Sequence, residues 1–253
     1  MHNLANMLKL IKKVWCEMTD IFLRTEMLLG SESMKKLNNK KVIIFGLGGV
    51  GSYTALAVAR SGVGKMILVD NDTVSSSNIN RQALAFHSTV GRYKTDVMKE
   101  MLLDINPELE VTTHTLFVLP DNVEAIIEED IDYIVDAIDT VTAKLAIAEL
   151  ANRRNIPIIS CMGTGNKLHP ELFKITDIYK TNVCPLCRVM RKELKARGIE
   201  RYKVLYSEEK PITPVISVPD EEKGERRSVP GSIAFVPPVA GLMIAGEVIR
   251  ELA

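Results

Sequence analysis

The stretch that most constrains this chain runs from Lys41 to Gln82. A short apolar run, Val42-Ile43-Ile44-Phe45, leads into Gly46-Leu47-Gly48-Gly49-Val50-Gly51. A small-residue segment with helical character, Ser52 to Ser61, follows, then a second apolar run, Met66-Ile67-Leu68-Val69, and Asp70. The pattern reads as strand, glycine turn, helix, strand and acid. Gly46, Gly48 and Gly51 have the spacing of a turn that lets backbone approach phosphates at a helix N-terminus, with Gly49 inside it. Asp70 falls roughly 20 residues on, where a carboxylate can accept hydrogen bonds from ribose hydroxyls. The competing reading is a tight turn that only packs helix on sheet. Taken alone, the motif suits NAD, FAD and ATP equally.

The residues after Asp70 favour ATP. Asp70 to Gln82 is polar and rich in amides and hydroxyls, and holds Asn78, Arg81 and Gln82. Lys94 comes shortly after. A dehydrogenase has little use for Asn78, Arg81 and Lys94 beside the ribose. Cleaving a triphosphate needs cations and amide donors along it. Farther on, Tyr133 to Asp139 reads as a buried strand that delivers two carboxylates, Asp136 and Asp139, at its C-terminal end, where open α/β sheets bind ligands. Asp139 is the candidate ligand for Mg²⁺, a hard cation that takes few carboxylates and keeps phosphate oxygens as partners.

Together, the glycine motif, the Asp70-x-Asp72-x-Val74-x-x-x-Asn78-x-x-Arg81-Gln82 segment, Lys94 and the Asp136-Ala-Ile-Asp139 strand end resemble the superfamily of ubiquitin-activating-type adenylyltransferases, over roughly residues 24 to 170. Within it the pattern is most similar to the branch that dehydrates threonylcarbamoyladenosine in tRNA. The resemblance implies a Rossmann-like fold, ATP and Mg²⁺ as requirements, and Asp72 among the nucleotide-binding residues. It also implies a homodimer in which an arginine of the N-terminal segment, here Arg24, reaches ATP phosphates, often across the subunit boundary. A monovalent cation and a cysteine desulfurase or sulfur-acceptor partner enter on the same ground.

Helical spacing from Arg92 to Ile105 ends at Asn106-Pro107. Strands are expected at Val111–Thr115 and Pro157–Ser160, and helices at Asn122–Glu128 and Thr140–Asn155. Strands alternating with helices mean right-handed crossovers and a mostly parallel sheet with helices on both faces. Residues 1–19 read as an N-terminal extension, a packed or frayed apolar helix in which Met18 is a natural start. Residues 20–253 read as one ATP-binding domain, with 171–253 as its substrate-side, C-terminal subregion. Phe22 to Gly30 reads as a short helix with a glycine stop.

Beyond Gly163 the pattern is weaker. Phe173–Asp177 reads as a strand at the sheet edge. Cys184-Pro185-Leu186-Cys187 suits zinc, a redox pair or two thiols packed at a helix start. Carrier-activating relatives have two such pairs, whereas the other cysteines here are Cys16 and Cys161, so zinc is disfavoured. Cys161 reads as a buried, inert thiol. The next helix carries Arg188, Arg191, Lys192 and Lys195, with Arg197, Arg201 and Lys203 beyond. In a chain whose 32 basic and 32 acidic residues cancel, this is a local basic cluster suited to a nucleic-acid backbone or a plain solvated face. Asp220–Arg227 reads as a loop. Val229–Ile249 is apolar, but its prolines and Glu247 argue against a membrane span and for a strand at Ser232–Val236 followed by a helix at Val239–Glu251. Without a span or a signal peptide, a cytoplasmic location is expected, with peripheral membrane contact open and no integral insertion.

The expected activity is adenylation of a substrate carboxylate, with threonylcarbamoyladenosine in tRNA as the substrate the resemblance implies. The alternatives are adenylation of the C-terminal glycine of a ubiquitin-like sulfur carrier, and a nucleotide-binding scaffold without catalysis.

Overall fold

A computed structural model describes residues 21–216 and 230–253. The expectations for residues 1–19, for Cys16 and for the Asp220–Arg227 loop lie outside the described residues. Seven strands form one sheet in the order β3-β2-β1-β4-β5-β7-β6. β1 (Lys41–Phe45), β2 (Lys65–Val69), β3 (Glu110–His114), β4 (Tyr133–Asp136), β5 (Ile158–Cys161) and β7 (Lys203–Ser207) run parallel. β6 (Phe173–Asp177) closes one edge antiparallel to β7. The inner strands are buried on both faces, which is why they read as unbroken apolar runs such as Val42-Ile43-Ile44-Phe45.

Among the described residues the α-helices are α1 (Leu23–Leu29), α2 (Ser31–Asn38), α3 (Gly51–Arg60), α4 (Lys94–Ile105), α5 (Val123–Ile126), α6 (Val141–Arg154), α7 (Pro185–Ala196) and α8 (Val236–Leu252). On one face Ile44, Leu68 and Val135 pack with Val58, Met98, Ile244 and Val248. On the other, Ile43, Phe45 and Ile134 pack with Ile126, Ile147 and Leu150. The doubly wound, mostly parallel sheet expected from the alternating pattern is present.

Two local expectations need correction, and one strand was not anticipated. Ser232–Val236 is not a strand. Pro237 and Pro238 sit in the first turn of α8, where a missing N–H is harmless, so the helix starts at Val236 and the residues before it form a turn. The Asn122–Glu128 helix shrinks to the four residues of α5. β7 was hidden behind the basic residues Arg201 and Lys203, and it proves an interior strand between β5 and β6. No helix among the described residues is long and apolar enough to cross a membrane.

Candidate active site

The order in which strands are added reverses between β1, from which the sheet grows outward to β2 and β3, and β4, from which it grows to β5 and β7. At this switch point the carboxyl ends of adjacent strands splay apart and leave a crevice. The glycine turn occupies it. Gly46 has φ of +86°, and a side chain there would meet the Ala137 carbonyl oxygen at 2.8 Å. Gly51 opens α3 so close to Gly46 that a Cβ would lie 1.7 Å from its carbonyl oxygen. Gly48 differs: a Cβ there would meet only Gln82 Nε2, at 3.9 Å, so the middle of the turn faces open space. Gly49 is closed by Pro237 of α8, 2.8 Å from where its Cβ would lie.

Asp70 stitches the turn to the segment that follows. Its Oδ2 accepts from Leu47 N–H at 2.6 Å and its Oδ1 from Asp72 N–H at 2.8 Å. Burial raises its pKa, and the Lys94 ammonium and the two N–H donors offset part of that rise. Lys94, the first residue of α4, is buried; its Nζ donates to Asp72 Oδ2 at 2.8 Å and lies 4.0 Å from Asp70 Oδ1. Backbone bonds from Val74 N–H to the Arg92 carbonyl and from Gly91 N–H to the Val74 carbonyl, both 2.8 Å, fold the two segments together.

Asn78 ends a short 3₁₀ turn and its Oδ1 accepts from Ser75 N–H, so what it can offer a ligand is its amide N–H₂. Arg81 lies over Gly49, with Cγ 3.4 Å from where a glycine side chain would begin, and donates to the Ser77 carbonyl and Asn80 Oδ1. Gln82 is buried beside Gly48, and its Oε1 has no hydrogen-bond partner. A buried, orphaned amide oxygen is costly and points to a ligand or water at that spot. An open glycine cradle, an orphaned amide and an ordered carboxylate fit a nucleotide.

Asp139 is exposed in the loop between β4 and α6. Asp136, expected as a second site carboxylate, is not one. It is fully buried and paired with Lys144, whose Nζ donates to both of its oxygens at 3.1 and 3.0 Å, to Ser160 Oγ at 3.0 Å and to the Cys161 carbonyl at 2.8 Å. Asp136 Oδ1 also accepts from Ile138 N–H at 3.3 Å, so the pair holds the loop that presents Asp139. Lys144 was missed by sequence reasoning. Its signal was a lone cation among Val141, Ala143, Leu145 and Ala148 of an apolar helix face.

Arg24 is exposed on α1, a helix with no buried residue. The adjacent Phe22 ring lies 3.8 Å from where a Cβ of Gly62 would be, just past the far end of α3. The length of α3, about 15 Å, separates that point from the glycine turn.

On α7, Arg188, Lys192 and Lys195 are exposed. Arg191 is tied down instead: it donates to the Thr181 carbonyl at 2.9 Å and to Thr181 Oγ1. Arg197 pairs with Glu149 and Glu193, and Lys203 with Glu247 and Glu251, so the basic surface is narrower than the sequence suggests. Cys161, Cys184 and Cys187 are buried, and burial pushes the Cys161 thiol up to about 12.

The sheet, the switch-point turn, the cluster of Lys94 with Asp70 and Asp72, and Arg81 over Gly49 define a Rossmann-like protein of the adenylyltransferase type. The chain belongs to the ThiF family, whose model matches residues 22–253. It is 41% identical over 238 residues to a tRNA threonylcarbamoyladenosine dehydratase of Bacillus subtilis, covering 91% of this chain and 94% of that protein. A crystal structure of the Escherichia coli tRNA N6-threonylcarbamoyladenosine dehydratase in complex with ATP superimposes with a TM-score of 0.83 at 30% identity, over 92% of this chain and 94% of that one. An adenylyltransferase and sulfurtransferase of Vanderwaltozyma polyspora is 34% identical over 138 residues, covering 54% of this chain and 31% of that protein.

Proposed function

We propose that this protein uses ATP to activate the carboxylate of N6-threonylcarbamoyladenosine in tRNA, closing the modification into a ring with loss of water. One observation carries the chemistry: an open glycine turn at the sheet's switch point, with Arg81 above it and Lys94 beside it. The similarity to dehydratases supplies the substrate.

In this reading Gly48 leaves room for the phosphates, and N–H groups of the turn and of the start of α3 donate to them. Asp70 accepts from the ribose. Asn78 and Gln82 line the phosphates. Asp139 would hold Mg²⁺. A single exposed carboxylate suits a cation that draws its other ligands from phosphate oxygens and water, and the ion would neutralise phosphoryl charge. The substrate carboxylate attacks the α-phosphorus and pyrophosphate leaves. Arg81 and Lys94 stabilise the charge that builds up on the phosphoryl oxygens and the leaving group. AMP is then a good leaving group, and the substrate's own nitrogen or oxygen closes the ring without an enzyme nucleophile.

Arg188, Lys192 and Lys195 serve the tRNA backbone in this proposal. A homodimer brings Arg24 to the neighbouring site, and the exposed Leu23, Met27 and Leu28 of α1 give the second copy an apolar face to cover. A monovalent cation, a sulfur-handling partner and a cytoplasmic location belong to the proposal on family resemblance alone. The test is nucleoside analysis of modified tRNA incubated with protein, ATP and Mg²⁺. A modified adenosine lighter by one water is expected. ATP consumption with the nucleoside unchanged would sink the substrate assignment.

A further inference from the structure

Asn80, the residue before Arg81, has no role in the reaction as proposed, yet both ends of its side-chain amide are in use. Its Nδ2 donates to the Ser232 carbonyl at 3.0 Å, 152 residues away in the sequence. Its Oδ1 accepts from Arg81 Nη1 at 2.8 Å. The same guanidinium nitrogen donates to the Ser77 carbonyl at 2.9 Å. Two acceptors on one nitrogen of a planar guanidinium fix the plane of the whole group. The partners also settle which way the amide points. Turned over, it would set its oxygen against the Ser232 carbonyl and its N–H₂ against the guanidinium.

The far end of this tie is itself held. Gly231 N–H donates to Asn166 Oδ1 at 2.6 Å, and the Gly231 carbonyl accepts from Asn166 N–H at 2.8 Å. Beside them Pro230 packs on Gly165, 2.8 Å from where a Cβ would lie. Gly165 and Asn166 belong to the loop that follows β5, so Ser232 is anchored at the end of the sheet that presents the glycine turn. Arg81 Cγ and Pro237 of α8 both lie against Gly49, 3.4 and 2.8 Å from the position of its Cβ. Arg81 is thus held between the glycine turn and a segment brought in from the far end of the chain.

An arginine side chain is long and flexible, and a cation meant for a phosphate has to be aimed at it. An amide suits this task because it is neutral. A carboxylate in its place would aim the guanidinium but also satisfy its charge, and would lose the donor to Ser232. Asparagine aims the cation without neutralising it.

We infer that Asn80 is a positioning residue: it ties Arg81 to the Ser232 segment and so holds the guanidinium over the nucleotide phosphates. The inference deepens the proposed function and rests on it for what Arg81 does. Asn80 is exposed, so its truncation leaves the core intact.

The test reads Arg81 directly, in the ligand-free full chain carrying 15N-labelled arginine. The Arg81 side-chain N–H signals, assigned by their loss in Arg81→Ala, should be resolved in the wild type and broadened or averaged in Asn80→Ala. Calorimetry with ATP and Mg²⁺ then completes a double-mutant cycle. Asn80→Ala should weaken ATP binding about fivefold, the net worth of one hydrogen bond. With Arg81 already alanine, the same change should cost less than about twofold. Arg81 signals that Asn80→Ala leaves unchanged would overturn the inference. So would an equal loss of affinity in both backgrounds, the mark of a purely structural role, or no loss in either. A wild type that binds no ATP would sink the proposed function, while the arginine signals still decide whether Asn80 holds Arg81.

Discussion

Gly48 and Gly51 stand in the same turn but answer to different constraints. A methyl group at Gly51 collides with backbone, so Gly51→Ala should destabilise the fold by roughly 1–3 kcal/mol or more in thermal denaturation. A methyl group at Gly48 meets open space. Gly48→Ala should therefore keep its stability to within about 0.5 kcal/mol yet bind ATP at least tenfold more weakly, because the methyl fills the phosphate space. If Gly48→Ala binds ATP normally, the phosphates do not lie there. Arg81→Ala should slow pyrophosphate release by roughly 10²–10³-fold, the usual effect of losing one donor to developing charge. These residues were legible because glycine spacing, Asp70 and Lys94 are written at short range. Asp136 and Arg191 misled because their partners, Lys144 and Thr181, are recruited only by tertiary packing.

Elements depend on ties that local sequence does not display. β7 escaped notice because its apolar core, Val204-Leu205-Tyr206, is short, follows the cations Arg201 and Lys203, and runs into Ser207-Glu208-Glu209. The structure uses one of those cations, Lys203, to clamp α8 through Glu247 at 2.9 Å and Glu251. Lys203 lowers the Glu247 pKa below its ordinary 4.5, with Arg250 adding to the effect. A lowered carboxylate contributes stability that is present above its unfolded pKa and lost as pH falls through the folded one. Lys203→Met should thus destabilise the protein at neutral pH by roughly 1 kcal/mol, with the difference from wild type shrinking below about pH 4.5. A difference that stays constant into acid would mean that the clamp acts by packing. Lys144→Met is the harsher change. It strands Asp136 in the interior and should cost about 3–5 kcal/mol in chemical denaturation. A fold that tolerates it would show that water reaches the Asp136 carboxylate.

At the scale of the whole molecule, the strand–helix alternation made the doubly wound sheet legible. The seating of α8 against the glycine turn through Pro237 was not, since almost 190 residues of chain separate them. A similar distance problem attends Arg24: Phe22, two residues before it, packs by Gly62, past the end of α3 that lies away from the glycine turn. If Arg24 works across a dimer, Arg24→Ala and Arg81→Ala proteins should each be impaired, and mixing them should recover part of the activity. Additive, unrecovered activity on mixing would exclude that arrangement. The central claim, an adenylation that depends on a modified tRNA, is tested most directly by pyrophosphate release from ATP and Mg²⁺. The comparison is between tRNA bearing the threonylcarbamoyl group and the same tRNA without it. The account predicts release, with AMP formed, only with the modified RNA. Equal release with both RNAs, or none with either while ATP still binds tightly, would contradict it.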